Sequence, residues 1–223
     1  MTDQCPITLP RAVLFDWDNT LVETWDCIHA ALAATFDAMG MEPWSMADTQ
    51  ARVRQSLRDS FPKLFGERWQ EARDIYYHHF STTHLEYLRA KDGAAELLDV
   101  LAERGVYLGV VSNKTGKFLR KEAEALGWQG RFQRIIGATD AEADKPAVAP
   151  VKLALEPIGI EPGGPGIDSI WFVGDADVDL ECAHAAGCVP ILLGPAKTVI
   201  DVRFPPRFHF DGCPALSALV LTL

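Results

Sequence analysis

The chain has 223 residues, 48% of them apolar and 23% charged, which suits a soluble globular protein with one large domain or one domain carrying a modest insertion. Lys and Arg number 21 against 31 Asp and Glu, so the formal net charge is −10; that disfavours nucleic acid and anionic membrane as partners but leaves room for a small anion held by a local cation. The five cysteines never form CxxC, no apolar run reaches the roughly 20 residues that cross a bilayer, and no basic-then-apolar leader is visible, so a cytoplasmic protein with reduced thiols is expected.

In chain order, the first apolar run is AVLF, Ala12 to Phe15. Similar runs follow at VYLGVV (106–111), RIIG (134–137), SIWFVG (169–174) and VPILL (189–193). They are continuous rather than alternating, as strands buried on both faces of a parallel sheet require. Helical patterns lie between them: GAAELLDVLAERG (93–105) and TGKFLRKEAEALG (115–127) each end in a glycine placed as a C-cap, and APVKLALEPIG and DLECAHAAG come later. Strand and helix in alternation predict an α/β fold with right-handed crossovers.

One region interrupts that alternation. Trp25, Ile28, Leu32, Phe36 and Met39 step by three and four, and so do Trp69, Ala72, Tyr76, Phe80, Thr83 and Tyr87. A strand-free stretch of this length is too long for a loop, so residues 23–91 are expected to form an inserted helical subdomain, with 1–22 and 92–223 as the core. EPGGPG (161–166) is expected to be a surface turn, since no GK[ST] follows it.

Three strand runs stop at a polar residue: the first at Asp16, the second at Ser112, and SIWFVG at Asp175. In a parallel sheet the C-terminal strand ends share one edge, where ligands bind, so these side chains should converge. Asp16 and Asp18 point to the same side of extended backbone, and Trp17 points away. Asp175 and Asp179, in GDADVD, bring further carboxylates to the same edge. Two unit charges about 4 Å apart repel by about 4 kcal/mol at an effective dielectric of 20, so a hard cation would relieve the crowding; an all-oxygen donor set points to Mg²⁺. Asn19 suits a sharp turn at positive φ, and Lys145 could neutralise part of the charge. Each residue alone also has an ordinary reading: acidic turn, turn serine, solvated lysine, first-turn carboxylate of a helix. His78, His79 and His84 lack metal-site spacing, and Arg54 with Arg58 reads first as a solvated helix face.

DWDNTLVET, VVSNKT, DKP and VGDADVD, in that order, resemble the four motifs of the haloacid dehalogenase-like (HAD) hydrolases, in the phosphoglycolate phosphatase-like branch with an α-helical cap. The resemblance covers nearly the whole chain. It implies a Rossmann-like three-layer core and a Mg²⁺-dependent phosphatase acting on a small phosphorylated metabolite, with phosphoglycolate as the first candidate, as a monomer or homodimer. It further implies Asp16 as nucleophile, Asp18 as acid and base, and Asp16, the backbone carbonyl of Asp18 and Asp175 as Mg²⁺ ligands. Asp179 would be a supporting acidic group, and Ser112, Asn113 and Lys145 would orient phosphate. A sugar phosphomutase shares the motifs, a 2-haloacid dehalogenase would need no acid like Asp18, and a non-catalytic phosphate-binding regulator could use the same fold. Asn19 stands where the family usually has glycine, and Trp17 is bulky enough to shape the substrate pocket.

Overall fold

The computed structural model describes residues 7–195 and 203–223, so Cys5 lies outside the described residues. The elements run β1 (Ala12–Phe15), β2 (Val22–Glu23), α1 (Trp25–Ala38), α2 (Met46–Arg52), α3 (Leu57–Phe65), α4 (Trp69–Tyr87), β3 (Arg89–Ala90), α5 (Ala94–Glu103), β4 (Tyr107–Thr115), α6 (Gly116–Ala125), β5 (Arg134–Ala138), α7 (Ala149–Leu155), β6 (Ile170–Gly174), α8 (Asp177–Ala186), β7 (Val189–Leu193), β8 (Phe208–Phe210) and α9 (Cys213–Thr222).

Six strands form one sheet in the order β5-β4-β1-β6-β7-β8, with every pairing parallel. β1 lies inside it, and each of its four residues is fully buried because both faces are covered. Val13 and Phe15 pack with Leu97 and Leu98 of α5, Leu119 of α6 and Leu216 of α9. Ala12 and Leu14 face the opposite way, against Val151 and Leu155 of α7 and Ala183 of α8. Helix, sheet and helix layers are thus the α/β arrangement expected from the continuous apolar runs.

The helices between β2 and β3 build a separate apolar cluster around Ile28, Leu32, Phe36, Phe61, Phe65 and Phe80, joined by Phe118 of α6. β2 and β3 pair antiparallel where the chain leaves and rejoins the sheet layer. α1 and α4 coincide with the two apolar stripes. Of the two helices between them, α2 is only MADTQAR, and α3 carries a shorter apolar stripe, Leu57, Phe61 and Phe65, with Pro62 inside it.

β4 is longer than its apolar run. It continues through Ser112, Asn113 and Lys114 to Thr115, with a register irregularity against β5 between Val111 and Thr115. Such a bulge re-aims side chains at a sheet end, and here it turns Lys114 inward rather than to solvent. EPGGPG is a turn. Cys27, Cys182, Cys188 and Cys213 are free and buried, and among the described residues no helix is long and apolar enough to cross a membrane.

Candidate active site

The C-terminal ends of β1, β4 and β6 meet at one cavity of about 170 Å³, lined by Asp16, Asp18, Ser112, Asn113, Asp175 and Asp179, with Lys145 and Lys114 also on its wall. All seven site residues expected from the sequence therefore line one chamber. Asp16 is 6% exposed, and its backbone N–H donates to the Val173 carbonyl at 2.8 Å, which fixes the strand end against β6. The chain then turns at Asn19, whose φ is 63°. Its side-chain oxygen accepts from the Thr24 N–H at 3.2 Å, so Asn fills the place of a glycine with a bond that glycine lacks.

Lys145 is buried, and its ammonium lies 2.6 Å from Asp16 Oδ1 and 2.7 Å from Asp179 Oδ1. Asn113 Nδ2 donates to the Lys145 carbonyl at 3.1 Å, so Asn113 holds the lysine's backbone. Ser112 Oγ accepts from the Lys114 N–H at 3.2 Å, which leaves its own hydrogen available to the chamber. Asp179 Oδ2 accepts from the Ala176 N–H at 3.1 Å. Gly174 makes room for that carboxylate: a Cβ there would come within 2.3 Å of the Asp179 Cγ.

Asp16, Asp175 and Asp179 each offer a carboxylate oxygen, all within 4.8 Å of one another. Thr20 Oγ1 donates to Asp175 Oδ1 at 3.2 Å. Burial pushes the Asp16 carboxyl up to about 7, with Asp179 and Asp18 adding to the rise and the Lys145 cation opposing it. Burial likewise raises Asp175 well above the carboxylate range, with the charges of Asp179 and Asp16 beside it. Lys145 responds in the opposite sense: burial disfavours its ammonium, but Asp16 and Asp179 more than offset this and raise it. One ammonium does not balance three crowded carboxylates. The site is under-neutralised, and its hard all-oxygen donors fit a divalent cation such as Mg²⁺.

Asp18 stands apart from that trio. Its Oδ1 lies 2.6 Å from the buried ammonium of Lys114, a residue the sequence reading did not single out. Burial disfavours the Lys114 ammonium, but the charges of Asp18 and Glu122 and its hydrogen bonds to both more than offset this and raise it. Lys114 Nζ also donates to Glu122 Oε2 at 2.7 Å. Trp17 departs from expectation: it is fully buried, does not line the chamber, and packs edge-on against Trp128 and Phe132. Its size fills the core layer beneath the site. Arg54 lines the chamber, whereas Arg58 pairs with the buried Asp144 carboxylate at 2.8 Å instead of facing only solvent.

The family model for haloacid dehalogenase-like hydrolases matches residues 13–192, from β1 through β7. A phosphoglycolate phosphatase of Aquifex aeolicus is 28% identical over 79% of this chain and 81% of its own length, and the pyrophosphatase PpaX of Halalkalibacterium halodurans is 27% identical over 94% and 96%. A solved HAD-superfamily hydrolase from Ehrlichia chaffeensis is 30% identical, covers 98% of this chain and 99% of its own, and superposes with a TM-score of 0.65. CbbY of Rhodobacter sphaeroides, solved with phosphate, shares the fold with a TM-score of 0.79 at 20% identity over 96% of this chain and 100% of its own. Since the matched span carries all three converging strand ends and the lysine between Asp16 and Asp179, the chain belongs to the haloacid dehalogenase-like hydrolases.

Proposed function

We propose that the protein is a Mg²⁺-dependent phosphatase that hydrolyses a small phosphomonoester through a phosphorylated Asp16. The observation that carries this reading is the buried Asp16 carboxylate, held by Lys145 at 2.6 Å in a chamber with two further carboxylates. Asp16 attacks phosphorus, the bond from phosphorus to the leaving oxygen breaks, and Asp18 delivers its proton to that oxygen. A water then attacks the aspartyl-phosphate, Asp18 takes the water's proton, and the bond from Asp16 to phosphorus breaks to release inorganic phosphate. Ser112 and Lys145 bind the phosphoryl oxygens, and Asn113 sets the height of Lys145 through its carbonyl. Asp16, Asp175 and the backbone carbonyl of Asp18 would hold Mg²⁺, with Asp179 in support. The ion would supply positive charge to the transferring phosphoryl group. The intact acid, nucleophile and lysine favour hydrolysis over a binding-only role, and Asp18 argues against dehalogenation.

Residues 23–91 serve as a cap that excludes water and selects the substrate. Phosphoglycolate is the first candidate, supported by relatives that bear that name. The chamber walls favour a second candidate class. The chamber is also lined by Ile28, Leu32, Trp44, Leu57, Phe61 and Tyr76, and glycolate offers little for those apolar surfaces. A leaving group with a hydrocarbon or aromatic body would bury against them. Phosphate release from a panel spanning phosphoglycolate, phosphosugars and aryl phosphates, with and without Mg²⁺, in the parent and in Asp16→Asn, tests the reading. Release that needs Mg²⁺ and is abolished in Asp16→Asn supports it. Undiminished activity in Asp16→Asn removes Asp16 as nucleophile, and phosphate transfer within a sugar without release would make the protein a mutase.

A further inference from the structure

The chamber wall hides a second charged cluster that the phosphatase chemistry above does not use. Glu122 lies on α6, 1% exposed. Its Oε2 accepts from Lys114 Nζ at 2.7 Å and from the Trp17 indole N–H at 2.8 Å. Its Oε1 accepts from His84 Nδ1 at 2.9 Å. Trp17 sits between Asp16 and Asp18, Lys114 on the extension of β4, and His84 on α4. A single carboxylate therefore ties the nucleophile strand, the chamber wall and the helical insertion together.

Burying a glutamate costs several kcal/mol unless partners compensate. Here they do: burial raises the Glu122 carboxyl, but the Lys114 cation and the His84 and Trp17 donors outweigh it and hold the group below the usual carboxylate value. An apolar side chain would fill the same space at lower risk, so a packing role alone leaves the carboxylate unexplained.

The consequence is visible at Lys114. Its ammonium is shared between two carboxylates, 2.7 Å from Glu122 Oε2 and 2.6 Å from Asp18 Oδ1. Phe80 closes another side, with Nζ 5.2 Å from its ring centroid. Without Glu122, Asp18 would be the remaining anion in contact with Lys114. The ammonium would then pair with Asp18 alone and tighten its hold on the oxygen that must exchange a proton with the leaving group.

We propose that Glu122 is a positioning residue for Asp18: it shares the Lys114 ammonium with the acid–base carboxylate, and its bond to His84 makes that sharing depend on α4 being seated over the core. The inference rests on the phosphatase reading, and a positioning role has a signature that mere stabilisation lacks. Proton donation matters most when the leaving alkoxide is strongly basic and least for p-nitrophenolate.

The test compares kcat and KM for p-nitrophenyl phosphate and for an alkyl phosphate that the parent hydrolyses, in Glu122→Gln, His84→Phe and, as a control on the exposed face of α6, Glu124→Gln. Phe at position 84 keeps the ring contacts with Phe80 and Phe118 and removes the Nδ1 donor. Glu122→Gln is expected to lower kcat on the alkyl phosphate about 10- to 100-fold, and on the nitrophenyl ester by less than about threefold, with KM changed less than about twofold. His84→Phe should show the same split at smaller size, and Glu124→Gln none. Equal losses on both substrates, or no loss on either, overturn the positioning role while leaving the phosphatase reading intact. If Glu122→Gln does not fold, His84→Phe decides by the same criterion. A parent that releases phosphate from neither substrate overturns the phosphatase reading and this inference with it.

Discussion

Lys145 Nζ lies 2.6 Å from Asp16 Oδ1, although 129 residues separate them in the chain. The same ammonium reaches Asp179, so one cation is shared by a carboxylate at the end of β1 and one in the first turn of α8. Lys145→Met removes the charge and keeps much of the length. It should lower kcat/KM by at least about 10³-fold, because both phosphate binding and charge stabilisation are lost. It should also destabilise the metal-free protein at neutral pH by about 3–5 kcal/mol, as breaking a buried pair does. Retained activity in Lys145→Met would sink the assigned role.

Metal removal should expose the crowding of carboxylates as a pH effect. Asp16 is raised to about 7 in the folded protein, against an ordinary value near 4. A raised folded-state value means that its contribution is present below about pH 4 and lost as pH rises through about 7. Asp175 acts in the same direction. The chelated protein should therefore have a lower thermal midpoint at pH 8 than at pH 5.5, and Mg²⁺ should restore the midpoint at pH 8. Glu122 is lowered, so its contribution is present above the ordinary carboxylate value and lost as pH falls through the lower folded-state value. Together they give the chelated protein a maximum in mildly acidic solution. A midpoint at pH 8 indifferent to Mg²⁺ would contradict a cation among these aspartates.

Gly174 offers a test of the site's geometry that adds and removes no charge. A Cβ at this position would meet the Asp179 side chain at 2.3 Å. Gly174→Ala lies on a buried strand between Val173 and Asp175, and because the Asp179 Cβ itself would be 2.3 Å away, the start of α8 must shift and carry the carboxylate with it. Displacing a charged group by about an ångström costs on the order of 10²-fold in rate. The expected outcome is a folded variant, by circular dichroism, with kcat down by about that factor. Wild-type kcat would show that Asp179 does not need its present position.

Much of this site was legible because topology did the gathering. AVLF and SIWFVG read as buried strands since both faces are covered, and the first polar residue after each then had to lie on the sheet edge. α1 and α4 were legible by the period of their apolar residues. β8 was not, being the three residues FHF on the sheet's outer edge. Lys114 and Glu122 were not either. A lysine beyond a strand end reads as solvated, and only the irregular end of β4 and the angular setting of α6 turn the two side chains toward each other. Nor does any local pattern link His84 to Glu122, 38 residues on; that contact exists because α4 crosses back over α6.

Arg58 provides the last test, because it joins the helical insertion to the loop that carries Lys145. Its guanidinium lies 2.8 Å from Asp144 Oδ1, and the same oxygen accepts from the Thr139 N–H at 2.9 Å. Asp144 immediately precedes Lys145 and is buried, while Arg58 is 38% exposed on its side chain. Asp144 keeps its Thr139 donor but loses its cation, so Arg58→Ala should lower stability only modestly, by about 1–2 kcal/mol. Its effect should fall on closure instead. α3 supplies Leu57 and Phe61 to the chamber wall, and without its tether to Asp144 the wall is less often in place when substrate arrives. KM should rise about three- to tenfold while kcat changes by less than twofold, since a uniformly weaker hold on ground and transition states raises KM alone. A fall in kcat at constant KM would place Arg58 in the chemistry through Lys145, and unchanged kinetics would show that α3 stays seated without it.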